Sequence, residues 1–172
     1  QVGQTEQKEY VYVPEYLELD DNTNSSYSNM TVQGDKLYYT NYQWDEASGE
    51  SKVVLGAYSL TDGSREDLPI TINADGGGIY SMQADAEGNI YTAEFEWNAT
   101  EGDDAYTQQT TVLHKYDASG TELVTQDITD IMQQDENNSY VGSMCLDDQG
   151  RFYISSDSLI LLFGSDGQFQ GA

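Results

Sequence analysis

Cationic side chains are nearly missing from this sequence. Lysine and arginine together number 6, against 31 aspartates and glutamates, and the formal net charge over 172 residues is -25. Phosphate backbones are gripped by stripes of Lys and Arg, so a nucleic-acid partner is not expected. An anionic membrane surface would repel the chain as well. There is one cysteine, Cys145, so an internal disulfide is excluded. Its neighbours Met144 and Leu146 lead us to expect a small buried hydrophobe on a strand rather than a nucleophile. His114 is the single histidine, no His–Cys cluster for zinc is present, and no Gly-x-Ser-x-Gly elbow occurs. Enzymatic activity is therefore not expected of this chain alone. No apolar run approaches the roughly 20 residues that span a bilayer as a helix, so no membrane insertion is expected. The sequence opens on Gln1 rather than Met, as a processed or truncated chain would.

What is abundant is tyrosine, at 14, and glycine, at 16, with proline at only 2. This is β-rich composition with turn punctuation. A pattern recurs three times. Met30-Thr-Val-Gln-Gly34-Asp-Lys-Leu37-Tyr38 returns as Met82-Gln-Ala-Asp-Ala-Glu-Gly88-Asn-Ile90-Tyr91, and again as Met144-Cys-Leu-Asp-Asp-Gln-Gly150-Arg-Phe152-Tyr153. Each copy closes on a second signal: Leu55-Gly-Ala-Tyr58 before Asp62-Gly63, Leu113-His-Lys-Tyr116 before Gly120, and Ile160-Leu-Leu-Phe163 before Asp166-Gly167. Self-similarity at a spacing of roughly fifty residues marks a repeat architecture.

Each copy reads as four strands joined by Gly-containing turns. The first copy spans 27–72, the second 78–128 and the third 140–172. An additional strand over 9–19 precedes them and reads as the outer strand of an earlier unit. Helix is nearly absent, with one short turn over Asp130–Gln133. Period-two alternation puts Tyr38, Thr40, Tyr42 and Trp44 on one side of a strand, and Tyr91, Ala93, Phe95 and Trp97 on the matching side of its counterpart. One such sheet cannot cover both of its apolar faces, so neighbours must stack to bury these rows.

Four-stranded antiparallel units of this length look like blades of a β-propeller. On these motifs the chain resembles the Tyr- and Asp-rich blades of bacterial extracellular propellers, in particular lipoproteins of Gram-positive gut bacteria. The resemblance implies an all-β fold, a location outside the cell or at its surface, and often a fused solute-binding domain. Propellers close with about four or more blades. Three copies and a spare strand therefore imply either a piece of a longer propeller or one completed by self-association.

In such a fold the long loops gather at one rim and the tight turns at the other. The long loops run over 20–26, 44–50, 73–78, 97–106 and 130–138, and they are acidic. Trp44-Asp45 falls in one of them, and Asp103-Asp104 in another that Trp97 opens. The indoles have two readings, as core between blades or as an aromatic platform for a sugar ring or a cation. The candidate ligand-binding set is Trp44, Asp45, Trp97, Asp103 and Asp104, for a protein or carbohydrate ligand. No cofactor is expected. The Asp pairs offer oxygen ligands for calcium, but none has the spaced Asp-x-Asp-x-Asp-Gly loop. The function expected is a non-enzymatic binding or scaffold module. The alternative is part of a larger propeller enzyme, a lyase or glycosidase, or of a solute-binding lipoprotein for sugars.

Overall fold

The structure, a computed structural model, describes residues 2–3, 11–12, 17, 25–74, 76–98, 108–133 and 140–172. Twelve of its strands form three four-stranded antiparallel sheets. The first sheet is β3 (Ser25–Gln33), β4 (Lys36–Asp45), β5 (Glu50–Ser59) and β6 (Arg65–Asn73). The second is β7 (Gly77–Ala84), β8 (Ile90–Asn98), β9 (Gln108–Tyr116) and β10 (Glu122–Asp127). The third is β11 (Ser143–Leu146), β12 (Phe152–Ser155), β13 (Ile160–Phe163) and β14 (Phe169–Gly171). Each sheet takes its strands in chain order. Of the strand expected over 9–19, residues 11, 12 and 17 are described: Val11–Tyr12 forms β2, which pairs with β1 (Val2–Gly3), and Leu17 lies outside any strand. The single helix among the described residues is α1 (Thr129–Met132), one turn leading into the third sheet. No helix among them is long and apolar enough to cross a membrane.

One turn chemistry makes three of the tight hairpins. Asp85, Asp117 and Asp147 each stand three residues before a glycine whose N–H returns to the Asp carbonyl, at 3.1, 2.9 and 3.0 Å. The glycines sit at φ 83°, 81° and 71°, a left-handed conformation that costs a residue with a Cβ. The side chain completes the turn: Asp85 Oδ1 accepts from Glu87 N and Asn89 N, and Asp147 Oδ1 from Gln149 N and Arg151 N. Carboxylate and glycine together fix which residues face each other, and so which side chains point inward.

The sheets stack by their faces. Tyr38, Leu55, Ala57 and Ile70 of the first sheet close on Met82, Ala84 and Ile90 of the second. Tyr91, Ala93 and Leu113 of the second close on Met144, Phe152, Ile154 and Phe163 of the third. Rings of Tyr91 and Phe152 meet edge-on at 5.0 Å. Burying each of the Leu, Ile, Met and Phe side chains is worth about 1.5–3 kcal/mol, so these two seams are where the repeat gains its stability.

The first strands of the sheets lie side by side, β3 against β7 and β7 against β11. A hydrogen-bond relay crosses all three. Thr31 Oγ1 donates to Gln83 Oε1 at 3.0 Å, and Gln83 Nε2 donates to the Met144 carbonyl at 3.0 Å. Repeated sheets with adjacent first strands are consistent with a β-propeller-like fold.

Three expectations are corrected. Trp44-Asp45 is not in a loop: both residues belong to β4, because the ladder runs to Asp45 opposite Glu50 and turns only over 46–49. Cys145 is exposed rather than buried. It alternates with Met144 and Leu146, so it lies on the face of the third sheet turned away from the second. The third copy's first strand begins at Ser143 rather than Tyr140.

Candidate functional site

The β4–β5 hairpin reaches beyond the seam. The row Tyr38, Thr40, Tyr42, Trp44 starts buried and ends open: Tyr38 and Thr40 are covered, whereas Trp44 is 45% exposed. Trp97, at the end of the corresponding row on β8, is 39% exposed. The indoles are therefore not inter-sheet core, which is taken by the shorter-reaching residues below them.

The hairpin tip is built by Asp45. Its Oδ1 accepts from Ala47 N at 2.8 Å and Ser48 N at 3.3 Å, and Gly49 N returns to the Asp45 carbonyl at 2.8 Å. Those backbone N–H groups hold the Asp45 carboxyl below its usual range. Below the indole, Tyr42 donates to Ser51 Oγ at 2.6 Å. A shallow depression of about 560 Å³ lies on this tip, lined by Trp44, Asp45, Glu46, Glu50 and Lys52 among others. It sets an aromatic face beside three carboxylates and one ammonium.

Trp97 occupies a different sheet. It pairs across the ladder with Gln109, and its backbone N–H donates to the Gly76 carbonyl at 2.6 Å. Of the five candidate residues, Trp44 and Asp45 share one depression, and Trp97 stands on the neighbouring hairpin. Asp103 and Asp104 lie outside the described residues. Among the described residues no group of three or more His, Cys, Asp or Glu side chains is arranged to hold a metal ion.

Two features escape a reading of the sequence. At the opposite end of the strands, a cavity of about 660 Å³ bridges all three first strands, with Thr31, Gln83, Asp85, Cys145 and Asp147 in its wall. Two of its carboxylates, Asp85 and Asp147, are occupied. Burial pushes Asp85 up, but hydrogen bonds from Asn89 and Tyr91 and the Lys115 charge outweigh it and leave the carboxyl low. Asp147 is likewise low, held by Arg151. The spacing Asp85-to-Tyr91, repeated as Asp147-to-Tyr153, is the signal that would have found these brackets.

The second feature is a polar cluster inside the first seam. Glu94 accepts from Thr92 Oγ1 and, at 3.3 Å, from Tyr116 Oη. His114 stands between two acids, with Nε2 3.8 Å from Glu94 and Nδ1 3.0 Å from Glu122. Its ring stacks on Tyr116 at 5.5 Å. Burial pushes the Glu94 carboxyl above its usual range, against the opposing pull of His114. Ladder register brings Thr92 opposite His114, and that pairing is invisible until the long β8–β9 connection is registered.

The fold thus defines an all-β protein of repeated four-stranded sheets. No family model and no curated protein matches the sequence. Among solved structures it is similar to a protein of unknown function from Bacteroides caccae, at 12% identity and TM-score 0.43, over 80% of this chain and 53% of that one. It is also similar to an acylaminoacyl peptidase from Pyrococcus horikoshii, at 11% identity and TM-score 0.45, over 86% of this chain and 32% of that one. The chain spans about half and about a third of the lengths of these two.

Proposed function

We propose that the three sheets are successive blades of a β-propeller and that the chain is a non-enzymatic binding or scaffold module outside the cell or at its surface. It takes its ligand at the hairpin tip of the first sheet. The observation that carries this reading is Trp44, large, apolar and exposed beside Asp45, Glu46 and Glu50. An exposed indole among carboxylates suits a cation better than a neutral group: the ring face attracts it and the acids raise its local concentration. The charge of the whole chain acts in the same direction. Asp45 is a positioning residue that shapes the tip, while Glu46 and Glu50 supply the field.

The test is titration with oligolysine and, separately, with a quaternary-ammonium ligand, read by isothermal titration calorimetry. A cation on the ring face is worth about 0.5–2 kcal/mol, so Trp44→Ala should weaken binding about 2- to 30-fold. Binding that is indifferent to Trp44→Ala would move the site elsewhere. Binding of neutral oligosaccharides with the same Trp44 dependence would keep the site and change the ligand class.

A further inference from the structure

Among the described residues, both halves of the internal seam recur uncovered, one on the first sheet and one on the third. Ladder register makes the equivalences explicit. Met30, Met82 and Met144 hold the same place on β3, β7 and β11, opposite Tyr39, Thr92 and Ile154 or beside them at the β3 bulge. Met82 is 2% and Met144 3% exposed, each pressed against the preceding sheet, whereas Met30 is 56% exposed. Val32 is likewise open where its counterpart Ala84 is buried. On the other face, Leu55, Leu113 and Ile160 are equivalent, paired with Thr40, Ala93 and Ser155. Leu55 and Leu113 are 0% exposed, each covered by the following sheet, and Ile160 is 65% exposed.

Among the described residues, the front of the first sheet thus lacks the face that the back of the third sheet carries, and the reverse. We infer that a second copy of this chain docks head to tail, the Met30–Val32 front of one against the Ile160 back of the other. The occupant follows from the two seams already present: a Met-led first strand seats on an aliphatic third strand twice within the chain. Like faces have no such precedent, because Met never meets the equivalent Met. An interface of this kind is heterologous, and it either closes or propagates. Two copies of the 172-residue chain bring together six four-stranded sheets among the described residues, within the roughly four to eight that close a propeller, so a closed pair is the expected product. This inference rests on the repeat and not on the ligand assigned to Trp44.

Light scattering coupled to size exclusion tests it on the 172-residue chain. At micromolar concentration the expected mass is twice that of one chain. Met30→Lys and Ile160→Asp each put a charge into both seams of a dimer, and each alone should run at the mass of one chain. Mixed in equal amounts they should dimerise again, since one seam is then wild type and the other pairs Lys with Asp. Both positions are solvent-exposed, so folding should survive, and circular dichroism checks it. Val32→Lys replaces Met30→Lys if that variant does not fold. A wild-type chain that runs at single mass overturns the proposal. So does a single variant that remains dimeric, or a mixture that does not re-form the dimer, since either result rejects head-to-tail pairing.

Discussion

The hydroxyl of Tyr91 donates to Asp85 Oδ2 at 2.9 Å, across the turn that Asp85 itself builds. The same carboxylate holds Glu87 N and Asn89 N, so one side chain sets the turn and aims the ring that meets Phe152. Tyr153 and Asp147 repeat the bond at 3.3 Å. Removing the acceptor strands several donors at once. Asp85→Ala should lower unfolding free energy by roughly 1–3 kcal/mol, measured by urea denaturation, and Asp85→Asn should cost less because its amide oxygen still accepts. No loss in Asp85→Ala would mean that glycine alone fixes the turn.

Acid should unfold the chain through these turns. Hydrogen bonds from Ser64 bring Asp62 down to about 2, and Asp117 and Asp147 are also held low. A carboxyl with a lowered folded-state pKa contributes stability above its unfolded value, about 3.9, and loses it as pH falls through the folded value. Stability should therefore drop between about pH 4 and pH 2. Asp62→Asn should remove part of that drop at its acid end, seen as a shallower slope of melting temperature against pH.

Glu94 should behave in the opposite sense. Its carboxyl is raised by burial in the seam. Its favourable contribution is thus present below the unfolded value, about 4.3, and fades as pH rises through the folded one. Glu94→Gln keeps an acceptor for Thr92 and Tyr116 while removing the buried charge. The variant should melt above wild type at pH 7, and the gap should close toward pH 4. A variant less stable than wild type at pH 7 would show that the pairing of Glu94 with His114 outweighs the burial.

The repeat and its four strands were legible because the strands carry period-two rows and most of their turns carry Gly. The inward rows were legible too: Tyr38 and Tyr91 are buried where alternation puts them. Alternation gives a side but no depth, so it could not tell that the rows emerge from the seam at Trp44 and Trp97. Cys145 misled for a related reason. Its neighbours Met144 and Leu146 are inward, and a strand gives adjacent residues opposite faces. The Glu94–His114 cluster needs the register of two strands joined by a long connection, which no local pattern encodes.

Two left-handed glycines separate strain from crowding. Gly49, at the β4–β5 tip, has φ 74°, and a Cβ there would meet nothing within 4 Å. Gly120, in the β9–β10 turn, has φ 81°, and a Cβ there would stand 2.5 Å from the Pro69 carbonyl oxygen. Pro69 belongs to β6, so the second clash is with the backbone of the preceding sheet. Gly49→Ala should therefore cost only the left-handed penalty, about 1–2 kcal/mol. Gly120→Ala carries the same penalty and must also push the seam apart, so its loss should be clearly larger. Equal losses in urea denaturation would mean that the turn slides away from Pro69 at no cost, and that the seam is held by its apolar faces alone.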